Sequence, residues 1–123
     1  MLPLEKTLGV LGYPLEHLLS PLMINTAIEE LRLPYRLFPF EVPTDDLEDA
    51  VRGIRALGIH GFALTIPHKE AVIEIADLIT DRATLIGAAN TLIFRADGKI
   101  HADNTDGYGF IENLKAGAPD WDP

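Results

Sequence analysis

The sequence has no cysteine among its 123 residues. Disulfide bonds, thiolate metal sites and cysteine nucleophiles are therefore excluded, and we expect a cytoplasmic protein, because disulfides are rare in that compartment. Basic residues are also scarce: 10 lysines and arginines stand against 19 aspartates and glutamates, and the net charge at pH 7 is −9. Since this charge repels phosphate backbones and anionic lipid head groups, we expect no nucleic-acid partner and no membrane partner.

Long apolar runs are missing as well. No stretch reaches the ~18 apolar residues needed to span a membrane, and Glu5, Lys6 and Glu16 interrupt the apolar amino terminus where a signal peptide needs an unbroken core. The four histidines are too scattered to form a zinc site. A dinucleotide-binding turn is missing too, since the fragment at 107–109 lacks a third glycine and follows no strand directly. We therefore expect neither a metal nor a bound cofactor in this chain.

Hydrophobic residues make up 47% of the sequence, enough for the core of one domain. Short apolar runs alternate with helical patterns, which is typical of an α/β sheet covered on both faces. A hairpin signal at 96–98 adds antiparallel strands. We therefore expect a three-layer sandwich, in which a mixed, mostly parallel sheet carries helices on both faces. The predicted strands cover residues 6–11, 35–42, 61–66, 89–95 and 99–102, and Pro39 places 35–42 at a sheet edge or a bulge.

The predicted helices begin at Ser20, Thr44, Pro67, Thr80, and Thr105 or Asp106. Ser20 is the expected N-cap of the first, with Pro21 at its first position. Apolar stripes predict the buried faces of the first two helices. The first stripe comprises Leu22, Met23, Ala27, Ile28 and Leu31, and the second comprises Leu47, Val51, Ile54 and Leu57, with Gly58 ending the helix.

Polar clusters lie at the ends of several predicted strands, where open α/β sheets bind ligands. Lys69 falls in the first turn of the helix expected from Pro67, where the helix dipole disfavours a cation. It is either an exposed surface lysine or an acid/base held near a carboxylate. The cluster at 103–106 either caps a helix or supplies that carboxylate, and Asn90 either satisfies loop backbone or binds a ligand.

Four segments, in this order, resemble the motifs of the shikimate dehydrogenase family. They are GYPLEHLLSP at 12–21, GFALTIPHK at 61–69, GAANT at 87–91 and NTDGYG at 104–109. Each is weak alone, but the four together are specific and cover essentially the whole chain. The resemblance implies the substrate-binding domain of an enzyme that reduces 3-dehydroshikimate to shikimate with NADPH. Residues 1–116 would form that domain, and residues 117–123 would begin a linker to an NADP-binding domain that these residues do not contain.

The resemblance also implies the roles of individual residues. Lys69 and Asp106 match the pair that flanks the reacting hydroxyl group and are the expected catalytic residues. Thr65 and Asn90 match positions that hold the ring hydroxyls or the surroundings of the lysine, and Ser20 matches a serine that grips the substrate carboxylate. The implied ligands are shikimate or 3-dehydroshikimate.

The sequence also departs from the family pattern. Leu18 stands at the position of a second carboxylate-binding serine, and Ala63 at that of a hydroxyl-binding asparagine. Leu64 and Ile24 replace the usual valine and histidine. Since each missing hydrogen-bond partner costs roughly 1–3 kcal/mol, the first two changes predict affinity lower by about 10²–10⁴, hence weak or absent ligand binding.

Three functional alternatives remain open at this point. The first is a substrate-binding domain that does not turn over alone, because no βαβ unit for a nicotinamide is present. The second is a redesigned or degenerate stand-alone scaffold or interaction domain without a small-molecule function. The third is an enzyme that works with a separately supplied cofactor domain. We also expect a homodimer, because apolar residues including Leu18, Leu19 and Trp121 would otherwise meet water.

Overall fold

A computed structural model describes residues 5–122 and contains a six-stranded mixed sheet. The strands are β1 (Lys6–Gly12), β2 (Tyr35–Glu41), β3 (Gly61–Leu64), β4 (Leu78–Ile79), β5 (Thr91–Phe94) and β6 (Ile100–Asp103). The helices are α1 (Ser20–Glu30), α2 (Leu47–Ala56), α3 (Asp81–Ile86) and α4 (Asp106–Gly117), with 3₁₀ turns at Thr44–Asp46 and Ala71–Glu74. The predicted linker begins at the last residue of α4, and its final residue, Pro123, lies outside the described residues.

The strand order is β2-β1-β3-β5-β6-β4. Strand β1 pairs in parallel with β2 and β3, and β4 pairs in parallel with β6, whereas β5 is antiparallel to both β3 and β6. This arrangement confirms the expected α/β class, with a mixed, mostly parallel sheet and helices on both faces. Among the described residues, no helix is both long enough and apolar enough to cross a membrane.

The main core lies between α2 and the centre of the sheet. Leu11 of β1 and Val51 of α2 are fully buried in one apolar cluster, together with Phe62 of β3. Gly9 carries no side chain because the ring of Phe62 occupies that space, and a Cβ atom at Gly9 would overlap the ring. The three central strands therefore pack closely, and they fix the ends at which the polar clusters lie.

Strand β2 is an edge strand, as Pro39 predicted. At Leu37 its backbone is satisfied by Asn25 of α1, whose Oδ1 accepts from Leu37 N at 2.8 Å and whose Nδ2 donates to Leu37 O at 2.9 Å. The Asn25 amide thus takes the place of a neighbouring strand and ties α1 to the sheet.

The expectations for α1 were partly wrong. Leu19 occupies the N-cap position, no side chain caps the helix, and Ser20 is already helical. Of the predicted stripe, Ile28 is buried, but Leu22 and Met23 are about 70% exposed. Because α1 contacts the edge strand β2, only a narrow line of its residues meets the sheet.

The helix expected from Pro67 does not form. Residues 66–70 form turns and a bend instead, and only the short 3₁₀ turn Ala71–Glu74 follows. The physical reason is tertiary: the His68 side chain is fully buried, and its Nε2 donates to the Val42 carbonyl oxygen at 2.7 Å. Lys69 is therefore not at a helix amino terminus, and the expected dipole effect on it does not arise.

Two further differences concern helix and strand ends. Leu57, expected on the buried face of α2, is 77% exposed, because the helix ends at Ala56 and the chain turns at Gly58 with φ +72°. Strand β4, only two residues long, was not expected. The hairpin between β5 and β6 was correctly predicted, and Gly98 supplies its left-handed residue at φ +83°.

Candidate active site

Lys69 and Asp106 meet where the polar segments after β3 and β6 converge. Lys69 lies in the turn after β3, and Asp106 is the first residue of α4, with two residues between it and the end of β6. Lys69 Nζ donates to Asp106 Oδ2 at 2.7 Å. Both side chains remain accessible, with 33% and 53% of their surfaces exposed. The pair is thus preformed and open to a ligand.

Asn90 joins this pair and fixes the start of α4. Its Nδ2 donates to Asp106 Oδ1 at 3.0 Å and to Thr105 Oγ1 at 2.8 Å. Its Oδ1 accepts from Thr105 N at 3.0 Å and from Thr91 Oγ1 at 2.9 Å. Because Lys69 holds one carboxylate oxygen of Asp106 and Asn90 holds the other, the orientation of that carboxylate is fixed from both sides.

Thr65 lies at the entrance to the turn that carries Lys69. Its backbone N–H donates to Leu11 O at 2.9 Å, and its carbonyl oxygen accepts from His68 N at 3.0 Å. A Cβ atom at Gly12 would overlap the Thr65 methyl group, so a glycine is required for β1 to approach this closely. The position of Thr65 is therefore set by its backbone hydrogen bonds and by the absence of a side chain at Gly12.

Two open hollows flank this turn and share Ile66. One, of about 730 Å³, lies against Lys69 and includes Glu70, Glu74 and Ala88 in its wall. The other, of about 350 Å³, is bounded by residues 13–18, Thr65 and Ile66. Both are open to solvent, so neither encloses a ligand by itself.

The structure does not bring together all residues that the sequence singled out. Leu18 lines the smaller hollow beside Thr65, whereas Ala63 lines a separate groove over the sheet. Leu64 is a core residue. No hydrogen bond among residues 5–122 connects the Ser20 side chain to Lys69, Asp106 or Asn90, so its role stays a prediction.

Sequence reasoning missed a second charged pair next to the first. Arg82 donates to Asp103 through Nε at 2.7 Å and through Nη2 at 2.6 Å. This guanidinium, with further hydrogen bonds from Thr80 Oγ1 and Asn104 N, outweighs the effect of burial and holds the pKa of Asp103 well below its usual range. No sequence signal identifies Arg82, because 21 residues separate it from its partner. The sequence placed Asp103 and Asn104 in a cluster that either caps a helix or supplies a carboxylate to Lys69, and it gave Asp103 no partner of its own.

The first turn after β1 does not fit a dinucleotide. A pyrophosphate needs a Gly-rich turn that leads directly into a helix. Here the close packing of Gly12 against Thr65 and Leu15 fills the turn, and α1 begins only at Ser20. This turn therefore does not fit a dinucleotide. The described residues also contain no group of three or more histidine, aspartate or glutamate side chains placed to hold a metal ion.

Comparisons with known proteins agree with the motifs. A family model described as the shikimate dehydrogenase substrate binding domain matches residues 10–92. Shikimate dehydrogenase (NADP(+)) of Roseobacter denitrificans is 52% identical over 115 residues, which is 94% of this chain and 42% of that protein. The crystal structure of shikimate dehydrogenase from Aquifex aeolicus has a TM-score of 0.89 and 37% identity, and the match covers 97% of this chain and 45% of that one.

A structural relative with a different named activity is also similar. The ligand-free 5-ketofructose reductase of Gluconobacter sp. strain CHM43 has a TM-score of 0.86 and 34% identity, over 91% of this chain and 40% of that one. The chain thus spans about 42% of the length of the first curated relative that it matches.

Proposed function

Because the chain belongs to the shikimate dehydrogenase substrate-binding domain family, we propose that it binds shikimate or 3-dehydroshikimate at the Lys69–Asp106 pair. The observation that carries this proposal is the 2.7 Å contact between two residues that lie 37 positions apart in separate motifs. In this proposal the chain supplies the half of a reductase that binds the ketone and donates a proton to its oxygen.

The chemistry of the pair suits the reduction of a ketone to an alcohol. If a nicotinamide held outside these residues delivered a hydride to the carbonyl carbon, negative charge would develop on the oxygen and would have to be stabilised and protonated. The Lys69 ammonium group has three N–H donors, and one of them is bound to Asp106. A second can point at the ketone oxygen and transfer its proton there, while Asp106 keeps the ammonium group oriented.

Asn90 and Thr65 have supporting parts in this proposal. Asn90 already fills its donors with Asp106 and Thr105, so a ligand hydroxyl at Asn90 would replace one of these contacts. Thr65 borders the hollow in which Leu18 replaces a polar residue of the family motif. Ser20 completes the proposed set. With fewer polar partners, the affinity for shikimate is expected to be weak.

The same proposal covers the cofactor. The relatives are named as NADP-dependent enzymes, but among the described residues the turn after β1 does not fit a dinucleotide. We therefore expect the 123-residue chain by itself to produce no NADPH from shikimate and NADP. Fluorescence at the NADPH maximum tests this expectation, and a rate above that of a protein-free blank with pure chain would contradict it. A cytoplasmic location belongs to the same proposal.

The binding proposal is tested by titrating ¹⁵N-labelled chain with shikimate. We expect saturable shift changes at the amides of Asn90, Thr105 and Asp106, and their loss in Lys69→Met. Lys115→Met is the matched control, because Lys115 also lies near an acidic partner, Glu112, on the surface of α4. Absence of saturable shifts, or equal affinity of the chain and the Lys69→Met variant, would overturn the proposal.

The scaffold alternative is favoured by one observation at the start of α1. Leu19, Leu22 and Met23 are 67–73% exposed and lie within five residues of each other. Such a cluster suits a protein surface better than water. In that case shikimate causes no shift changes, while chain concentration changes the shifts of α1.

A further inference from the structure

Four hydrogen bonds hold the Asp103 carboxylate. Arg82 forms a bidentate pair with it, in which Nε donates to Oδ1 and Nη2 donates to Oδ2. Thr80 Oγ1 donates to the same Oδ1 atom at 2.8 Å. The Asn104 backbone N–H donates to that Oδ1 atom at 2.7 Å. Only 19% of the Asp103 side chain is exposed.

From Asp103 a short series of hydrogen bonds leads to Asp106. Asn104 is 3% exposed, and its Oδ1 accepts from the Asp106 backbone N–H at 2.9 Å. Its Nδ2 donates to Ala88 O at 2.9 Å, which ties it to the segment before Asn90. The Asp103 carbonyl oxygen accepts from Asn90 N at 3.0 Å. Both routes end at residues that touch the Asp106 carboxylate or its backbone.

We propose that Arg82 and Asp103 are positioning residues that set the location of Asp106 for the ligand. This inference rests on the proposed function in one respect, namely that Asp106 contacts the ligand. The planar fork of Arg82 fixes the rotation of the Asp103 carboxylate, and this rotation aims Oδ1 at the Asn104 N–H group. Without the fork, Thr80 Oγ1 and the Asn104 N–H group still bind Oδ1 but leave Oδ2 unheld, so the loop at 104–106 is anchored less firmly.

The first test measures the folded state directly, without a ligand. In Arg82→Gln we expect the backbone amide proton resonances of Thr105 and Asp106 to move, because their acceptors on Asn90 and Asn104 shift. A loss of stability alone would not move resonances of the folded state. Arg52→Gln is the matched control, since Arg52 also makes two hydrogen bonds to one carboxylate, that of Glu48, on the surface of α2.

The second test asks whether Arg82 acts through Asp106. We expect Arg82→Gln to weaken shikimate binding about tenfold, the lower end of the effect seen for groups that orient metal ligands. In the Asp106→Asn background the same change should cost less than twofold, because coupled residues are not additive. Arg82→Lys keeps the charge without the fork, so we expect an intermediate affinity. This milder variant also serves if Arg82→Gln does not fold.

The outcomes separate this inference from the proposed function. Unchanged Thr105 and Asp106 resonances in both Arg82 variants overturn the inference, and so do losses that multiply in the double variant. If the unaltered chain does not bind shikimate, the proposed function fails, and the resonance test still decides whether Arg82 positions Asp106. Moved resonances together with a non-additive loss support both.

Discussion

Replacing Gly12 by alanine perturbs the turn after β3, which carries Lys69, through a single methyl group. The added Cβ would overlap the Thr65 methyl group, and it would lie 2.6 Å from Leu15 Cδ2 and 3.1 Å from the Ile66 carbonyl oxygen. The two side chains can rotate away, but the Ile66 carbonyl is held by a hydrogen bond from Tyr13 N at 3.1 Å. We therefore expect Thr65 to be displaced and the turn to shift slightly.

The size of the effect follows from comparison with two other glycines. Crowding a packed site costs about 1–3 kcal/mol. For Gly12→Ala we expect about 1–2 kcal/mol, because two of the three neighbours can move. For Gly9→Ala we expect about 3 kcal/mol, because the new Cβ would overlap Phe62, whose ring lies between Phe40 and Phe94 at centroid distances of 5.7 and 6.2 Å. Gly53→Ala should stabilise the chain by about 0.5–1 kcal/mol, because Gly53 is inside α2 and the added Cβ would meet no atom within 4 Å beyond the adjacent residues and the backbone of the helix itself.

Urea denaturation at neutral pH measures the three free energies of unfolding, and shikimate titration measures the three affinities. Loss of one good hydrogen bond at Thr65 weakens binding about fivefold, so only Gly12→Ala should bind more weakly. Gly9→Ala should be the least stable of the three variants and bind normally where it is folded. The reasoning is refuted if Gly12→Ala has the affinity of the unaltered chain, or if Gly9→Ala is no less stable than it.

Three further predictions concern specificity, acid stability and association. The double variant Leu18→Ser with Ala63→Asn should bind shikimate more tightly than the unaltered chain in an NMR titration, and equal affinities would show that these positions do not contact the ligand. Folding lowers the pKa of Asp103, so its ionised carboxylate stabilises the fold at pH values above the usual carboxyl pKa, and this stabilisation is lost as the pH falls from there towards the lowered pKa. In Asp103→Asn the free energy of unfolding should therefore fall less steeply on acidification. Parallel curves for both proteins would contradict this. In sedimentation equilibrium at micromolar concentration we expect a dimer, and a single species near 13.5 kDa would contradict it.

Local patterns in the sequence predicted the elements whose structure is set locally. The apolar run at 6–11, the face of α2 that includes Val51, and the hairpin at 96–98 were all found as expected. The helix at Pro67 was wrong because a distant carbonyl, that of Val42, draws His68 into the core. Such a contact over 26 residues leaves no trace in a local pattern.

The candidate site, too, was only partly predictable from local sequence patterns. Periodicity alone left Lys69 as either a surface lysine or an acid/base, and only the motif resemblance paired it with Asp106, which the structure places 2.7 Å away. The catalytic roles of both residues remain predictions. Arg82 had neither a local pattern nor a motif role, so its pairing with Asp103 emerges only when β6 and α3 are folded against each other.

Three asparagine side chains have the same structural role in this fold, and the chemistry of the amide group explains why asparagine suits it. Asn25, Asn90 and Asn104 each accept a backbone N–H group where regular sheet or helix hydrogen bonding stops. Each also donates to a nearby oxygen, which an aspartate at the same place could not do. A neutral amide adds no charge to a chain that already carries −9. Asn90 is uncharged, so it donates to Asp106 without adding a second cation that would compete with Lys69. The Asp106 carboxylate therefore keeps its ion pair with Lys69, and Asn90 sets its orientation.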